Sequence, residues 1–277
     1  MKQFKALKPG RKVQLDKIDP DSHTGLADKS AVERKTEMLT REIGALQEAL
    51  YADSTQALLI VLQGMDTAGK DGVIRCVFDH VNPAGMHVHS FKTPSVDEKR
   101  HDFLWRIHQQ LPPYGHIGIF NRSHYEDVLV VRVHAAQMLP EPLRRDKKLF
   151  TRRFEMINDF EWGLAQARVR IIKFFLHISR DEQRQRLEAR QRDRKKHWKL
   201  SESDFTERAF WREYQNCYTE MLSGTNSDAA PWYVVPANHK WVRNHVIAQV
   251  VRDTLTAMNP QPPKLADKSL VTRKFSI

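Results

Sequence analysis

Apolar residues along this chain follow two rhythms. Short unbroken runs have the length of buried strands: Leu58 to Leu62, His116–Asn121, Val169–Ser179 and Trp232–Ala237, with the more alternating Gly85–Phe91. Between them lie longer stretches with apolar residues every three or four positions. Asp28 to Tyr51 sets Val32, Met38, Leu39, Ile43, Leu46 and Leu50 near one helical face, and Trp241 to Met258 closes the pattern as an amphipathic helix. Helices are also predicted over Val73 to Val81, from Ser95 to Leu111 with Ser95 and Glu98 spaced as a capping box, over Glu141 to Ala167, Arg180 to Lys199, and Ser201 to Leu222 with its aromatic residues Phe205, Phe210, Trp211, Tyr214 and Tyr218. Strands alternating with helices predict an α/β fold with a mostly parallel five-stranded sheet covered on both faces. Residues 1–27 are basic and polar and read as a surface arm, residues 28–260 as one domain with a lid at about 180–200, and 261–277 as a tail.

The first strand runs straight into Gly64-Met65-Asp66-Thr67-Ala68-Gly69-Lys70-Asp71-Gly72 and then into a helix. Strand, glycine loop and helix is the setting of a phosphate-binding loop, and Gly-x-x-x-x-Gly-Lys is its spacing. Gly64, Met65, Thr67, Ala68, Gly69 and Gly72 would turn backbone amides toward an anion, the helix start adds positive potential, and Lys70 adds a full charge. Two positions depart from the usual loop. Asp71 stands where Ser or Thr normally holds a metal, and Asp66 places a carboxylate among anion-binding amides. The latter is repulsive unless a cation intervenes, so Asp66 predicts a divalent metal, Mg²⁺ or Mn²⁺, shared with phosphate.

A second group follows the His116–Asn121 strand: Asn121, Arg122, Ser123, Glu126 and Asp127. In such sheets ligands bind at the carboxyl ends of strands, so this group and the loop should face one site. Arg122 is placed to neutralise a phosphoryl group in flight, and Glu126 or Asp127 to hold metal or meet a nucleotide. A third group is the segment Arg180–Lys199, with nine Lys/Arg against four Asp/Glu. Arg186 and Arg190, four residues apart, share a face and predict phosphate contacts from a mobile lid. Arg75 and Lys92 are weaker phosphate candidates, and Arg106, among apolar residues, either reaches an internal anion or snorkels.

The whole composition fits an anionic partner. The chain has 277 residues, a formal net charge of +11 and a pI of about 9.7. Cys76 and Cys217 are too few for a disulfide framework, the 13 histidines show no zinc-ligand spacing, and no apolar run has membrane-spanning length. These features lead to the expectation of a cytoplasmic protein without zinc or a membrane anchor.

Gly64 to Gly72, Phe103-Leu104-Trp105-Arg106, Phe120-Asn121-Arg122-Ser123, Leu176-His177-Ile178-Ser179 and Pro231-Trp232-Tyr233-Val234-Val235-Pro236 together resemble the type-2 polyphosphate kinases. The resemblance spans roughly residues 30–260. It implies a P-loop kinase fold like that of thymidylate kinase, with a helical lid, and Mg²⁺-dependent reversible phosphoryl transfer between inorganic polyphosphate and a nucleotide. It implies that Asp66 orients the attacking nucleotide phosphate through metal, and that Lys70, Arg122 and the lid arginines hold polyphosphate. Ser123-x-Tyr125-Glu126-Asp127 is similar to members that take AMP as well as ADP, giving ADP and ATP. Family members commonly form homodimers or homotetramers. Two other readings stay open on the sequence: an ATP-dependent nucleoside monophosphate kinase, and a basic nucleic-acid-binding protein with a non-catalytic loop, although no nucleic-acid recognition pattern is present.

Overall fold

In the computed structural model, which describes residues 4–273 and 275, five strands form one fully parallel sheet in the order β2-β3-β1-β4-β5. The strands are β1 (Ala57–Gln63), β2 (Met86–Ser90), β3 (Ile117–Asn121), β4 (Val169–His177) and β5 (Trp232–Pro236). The six longer helices are α1 (Lys29–Asp53), α2 (Lys70–Val77), α3 (Leu149–Gln166), α4 (Arg180–Arg192), α5 (Trp211–Gly224) and α6 (Lys240–Met258). The unbroken apolar runs are the central strands for a direct reason. β1 is flanked on both edges and covered on both faces, so every residue from Ala57 to Gln63 is buried. α1 and α6 pack along each other on one side of the sheet, led by Ile43 and Leu50 and by Val246, Ile247 and Val251, all essentially without exposure.

Register positions the site. Leu62 stands opposite Asn121, and Gln63 opposite Phe175. The chain therefore leaves β1, β3 and β4 at one edge, and the three loops that follow emerge side by side.

Two expected helices are interrupted: Glu141 to Ala167 leaves one turn, Glu141–Arg144, before α3, and Arg180 to Lys199 is α4 followed by a separate tighter turn from Arg194. Three further sequence expectations change. The stretch from Ser95 to Leu111 is not one helix. The capping box does form, with the Ser95 amide donating to Glu98 at 2.6 Å and the Glu98 amide to the Ser95 hydroxyl at 3.2 Å. Yet the turn ends at His101, and only Trp105–His108 is α-helical. His101 is extended (ψ 171°) and the Asp102 carboxylate takes the Leu104 amide at 2.9 Å, so local side-chain bonding outcompetes the helix. The region Ser201–Leu222 likewise breaks at Phe210 into short turns followed by α5. Third, the arm is not a free surface segment. Val13, Leu15 and Leu26 are buried, the Leu7 amide donates to the Trp232 carbonyl at 2.8 Å on the β5 edge, and His177 Nε2 meets the Ile18 carbonyl at 3.0 Å. Its apolar residues are too widely spaced to show a period, and tertiary contacts order them: Leu7 bonds β5, the Val13 amide donates to the Ser223 hydroxyl at 3.0 Å, and the Leu15–Lys17 turn packs against α5.

Candidate active site

The loop between β1 and α2 takes its shape from two glycines. Gly64 has φ +151° and Gly69 φ +102°, values that side chains disfavour, and a Cβ at Gly64 would stand 2.7 Å from the Leu176 carbonyl. Thr67 and Arg122 also sit in the left-handed region, at φ +64° and +62°. For residues with a Cβ this costs about 1–2 kcal/mol each, and both flank the same opening. Among the described residues the amides of Gly69 to Gly72 find no acceptor, leaving the N-terminus of α2 open to an anion.

Asp66 and Arg122 meet across the loop mouth, with Asp66 Oδ1 2.5 Å from Arg122 Nη2 and both side chains about one-third exposed. Glu126 lies 3.6 Å from the other end of the same guanidinium. Arg122 is held more firmly protonated than usual, first by Glu126 and then by Asp66, while burial pushes the Glu126 carboxyl up against the pull of Arg122. Lys70 is folded back, its ammonium donating to the Gly64 carbonyl at 2.8 Å and to that of Met65 at 3.4 Å. Burial, then Arg122, pulls its pKa down. Asp66 and Lys70 from one loop, and Arg122 and Glu126 from another distant in the chain, thus form one charged cluster.

The cluster faces a cavity of about 220 Å³. Gly64, Met65, Asp66, Arg122 and Glu126 line it. So do Glu207, Tyr214 and Tyr218, which the sequence reading took only as part of a helical stretch. Tyr214 donates to Glu207 at 2.6 Å, and His134 Nε2 approaches the same carboxylate oxygen at 2.9 Å. The available signal was the i,i+4 spacing of two tyrosines that each carry a polar tip on an otherwise apolar helix face.

Other candidates stand elsewhere. Ser123 is fully buried, accepting from Gln63 at 3.1 Å and capping the Tyr125 amide at 3.3 Å; it shapes the turn and meets no solvent. Asp127 points away from the cavity, between Arg106 at 3.8 Å and Arg153 at 3.9 Å, and Arg106 also donates to the Lys92 carbonyl at 2.9 Å. Arg106 therefore serves an internal carboxylate. Asn121 donates to Asp71 at 2.9 Å, and Lys199 reaches the other Asp71 oxygen at 3.4 Å, so Asp71 ties the end of the basic segment to the loop helix. Arg186 gives its guanidinium to the carbonyls of Thr67, Ala68, Ala237 and Asn238 at 2.6–3.1 Å, and Arg190 to Asp204 and the Lys199 carbonyl. Both brace the protein from within. The exposed cations of the basic segment are instead Arg180, Arg184, Arg192, Arg194, Lys195, Lys196 and Lys199, and Arg75 and Lys92 are exposed too.

Behind the turn His124–Val128 lies a buried polar group. Lys173 of β4 donates to Glu161 of α3 at 2.6 Å, to Tyr125 at 2.8 Å and to the Thr225 carbonyl at 2.7 Å; Glu161 also accepts from Tyr125 at 2.8 Å and meets His124 at 3.2 Å. Every one of these side chains is 0–1% exposed. The network anchors the turn that carries Glu126.

Burial pushes the Asp127 carboxyl up to about 6 despite its two arginines. An unfolded aspartate titrates near ~4, so the folded carboxyl keeps its proton between pH ~4 and ~6; its stabilising contribution is full below ~4 and is lost as pH rises to ~6. Asp127→Asn should flatten that part of the melting-temperature profile. An unaltered slope would show that Arg106 and Arg153 keep the acid ionised.

The donor set bears on a metal. No group of three or more His, Cys, Asp or Glu able to hold an ion exists among the described residues. Mg²⁺ does not need one: it retains waters and is held by one or two carboxylates together with substrate phosphates. Asp66, with one oxygen on Arg122, fits that kind of shared site.

Residues 26–263 match the family model described as Polyphosphate kinase 2 (PPK2). The chain is 42% identical over 98% of its length to all of a Meiothermus ruber protein named AMP/ADP-polyphosphate phosphotransferase. It is 40% identical over 95% of its length to 92% of a Rhodopseudomonas palustris ADP-polyphosphate phosphotransferase. The crystal structure of polyphosphate kinase 2 from Arthrobacter aurescens TC1 superposes with a TM-score of 0.88 at 36% identity, covering 98% of this chain and 99% of that one.

Proposed function

This chain belongs to the Polyphosphate kinase 2 family and is a phosphotransferase, and on that premise we propose that it moves the terminal phosphoryl group of inorganic polyphosphate reversibly onto ADP and AMP. The observation that carries the reading is the Asp66–Arg122 pair at the mouth of an open phosphate loop, 2.5 Å apart and beside a cavity. A carboxylate at that point disfavours a loop dedicated to one polyphosphate ligand and favours one where two phosphate chains meet.

Phosphoryl transfer needs in-line positioning and charge neutralisation, with little covalent work from the protein. The open amides at the start of α2 bind donor phosphates. Lys70, released from the Gly64 and Met65 carbonyls, adds its charge to the same anion. Arg122, preset between Asp66 and Glu126, neutralises charge on the group in transfer. The cavity walled by Glu126, Tyr214 and Tyr218 takes the acceptor nucleotide. Asp66 would hold Mg²⁺ or Mn²⁺ with the substrates, which supplies further neutralisation of phosphate oxygens. The exposed lid cations suit a long polyanion better than a single nucleotide. AMP acceptance is supported by the name of the Meiothermus ruber relative and by Glu126 in the cavity wall. Free Cys76 and Cys217 suit a reducing cytoplasm, and the exposed Met156 and Trp162 on α3 would serve a homodimer or homotetramer.

With polyphosphate as sole donor and Mg²⁺ present, ADP should yield ATP and AMP should yield ADP in separate assays, and excess chelator should abolish both. AMP phosphorylation supported by ATP but not by polyphosphate would replace this reading with that of an ATP-dependent nucleoside monophosphate kinase.

A further inference from the structure

The underside of the phosphate loop holds a charge imbalance. Arg243, near the start of α6, is 2% exposed. Its guanidinium lies against the junction of loop and α2: a Cβ at Gly69 would overlap it, and one at Gly72 would stand 3.2 Å from Nη2. Nη1 donates to the Ala68 carbonyl at 3.2 Å, and Nε and Nη2 donate to Asn244 at 3.1 and 2.8 Å. Beside it are Arg186, bound to the Thr67 and Ala68 carbonyls, and Lys240. Among the described residues, the one carboxylate ion-paired with any of these three cations is Glu182, on Arg186 at 2.6 Å. Arg243 has none. Burial and then Arg186 pull its pKa down to about 10, so the neighbourhood opposes its charge.

A buried ion without a partner costs several kcal/mol, so this arrangement loads the empty protein. The geometry connects it to the loop's task. No peptide bond among the described residues is cis. In a trans unit the carbonyl and the following N–H point in opposite directions. Two guanidinium groups draw the Ala68 carbonyl rearward, so the Gly69 N–H is turned to the open side of the loop, where it has no acceptor.

We propose that Arg243 is a positioning residue for phosphate binding: it orients the Gly69 amide from behind the loop, and the bound phosphate chain supplies the negative charge its buried guanidinium otherwise lacks. The inference rests on the loop being the phosphate site, as in the function proposed above.

The test compares the parent chain with Arg243→Met and Arg243→Lys. Thermal midpoints are read without ligand and with tripolyphosphate plus Mg²⁺, and kcat and KM are measured for polyphosphate with ADP as acceptor. Arg243→Met should melt without ligand at or above the parent, lose most of the tripolyphosphate-induced shift, and raise KM about tenfold or more, equivalent to about 1.4 kcal/mol of binding, with a smaller change in kcat. Arg243→Lys, which keeps the charge, should restore most of the affinity. A destabilised or unfolded Met variant, or equal KM values for all three proteins, would overturn the inference and reduce Arg243 to a packing role. Failure of the parent to use polyphosphate would instead remove the proposed function, and the tripolyphosphate shift would still read the role of Arg243.

Discussion

Asp66→Asn is expected to lower phosphoryl transfer by a factor of about 10³ while the folded protein stays intact, because the lost group acts on charge that develops between substrates. The side chain is 30% exposed, and it pairs with Arg122, which keeps Glu126 as a second carboxylate. Asparagine preserves the shape and removes only the charge, so the melting temperature should move by no more than a few degrees, in line with surface substitutions of about ±0.5 kcal/mol. Near-parental turnover of the variant at saturating Mg²⁺ would mean that the acid serves only to orient Arg122. Arg122 would then have to carry the effect, and the reading of a cation shared between two phosphate chains would be lost.

Lys173→Met should be the most damaging change away from the substrates. Glu161 is 1% exposed and would remain buried with no cation, which costs about 3–5 kcal/mol. For a chain of this size that amounts to roughly 10 °C in melting temperature. Because Tyr125 and His124 share the network, the turn bearing Glu126 should loosen, and activity should fall even where the variant is folded. Adding Glu161→Leu removes the stranded charge and should recover most of the stability. A double variant as unstable as the single one would show that the loss comes from packing around Trp232 and Tyr125, not from the unpaired acid.

The two predictions draw on different layers of information. Asp66 was legible in the chain alone, because a carboxylate inside a glycine loop contradicts the chemistry of that loop unless a cation resolves it. Lys173 was not. It sits in the middle of an apolar run, and its meaning depends on Glu161, which comes from a helix whose own pattern shows only amphipathicity. The basic segment Arg180–Lys199 shows the same division. Its net positive charge was plain, yet the segment read as one helix ends at Asp193, whose side chain takes the Lys195 amide at 3.1 Å and starts a tighter turn. Which arginines face outward then depends on that turn and on nearby backbone: Arg186 and Arg190 are drawn inward by carbonyls and by Asp204, and no spacing rule reports where carbonyls will be left over.

By itself the sequence determined the alternation of strand and helix, the parallel sheet, the phosphate loop and the presence of an acid within it. Those features are local: each follows from the period of apolar residues or from the backbone freedom of a few glycines, over stretches short enough to read. The tertiary structure alone decided that Asp66 meets Arg122, that Asp127 faces inward while Glu126 faces the cavity, that Tyr214 and Tyr218 line the same cavity, and that Arg243 lies beneath the loop with no carboxylate partner among the described residues. Each of these joins residues tens to more than a hundred positions apart, and strand register and helix packing, which emerge only when the whole core assembles, set which charges are paired and which are left for a ligand.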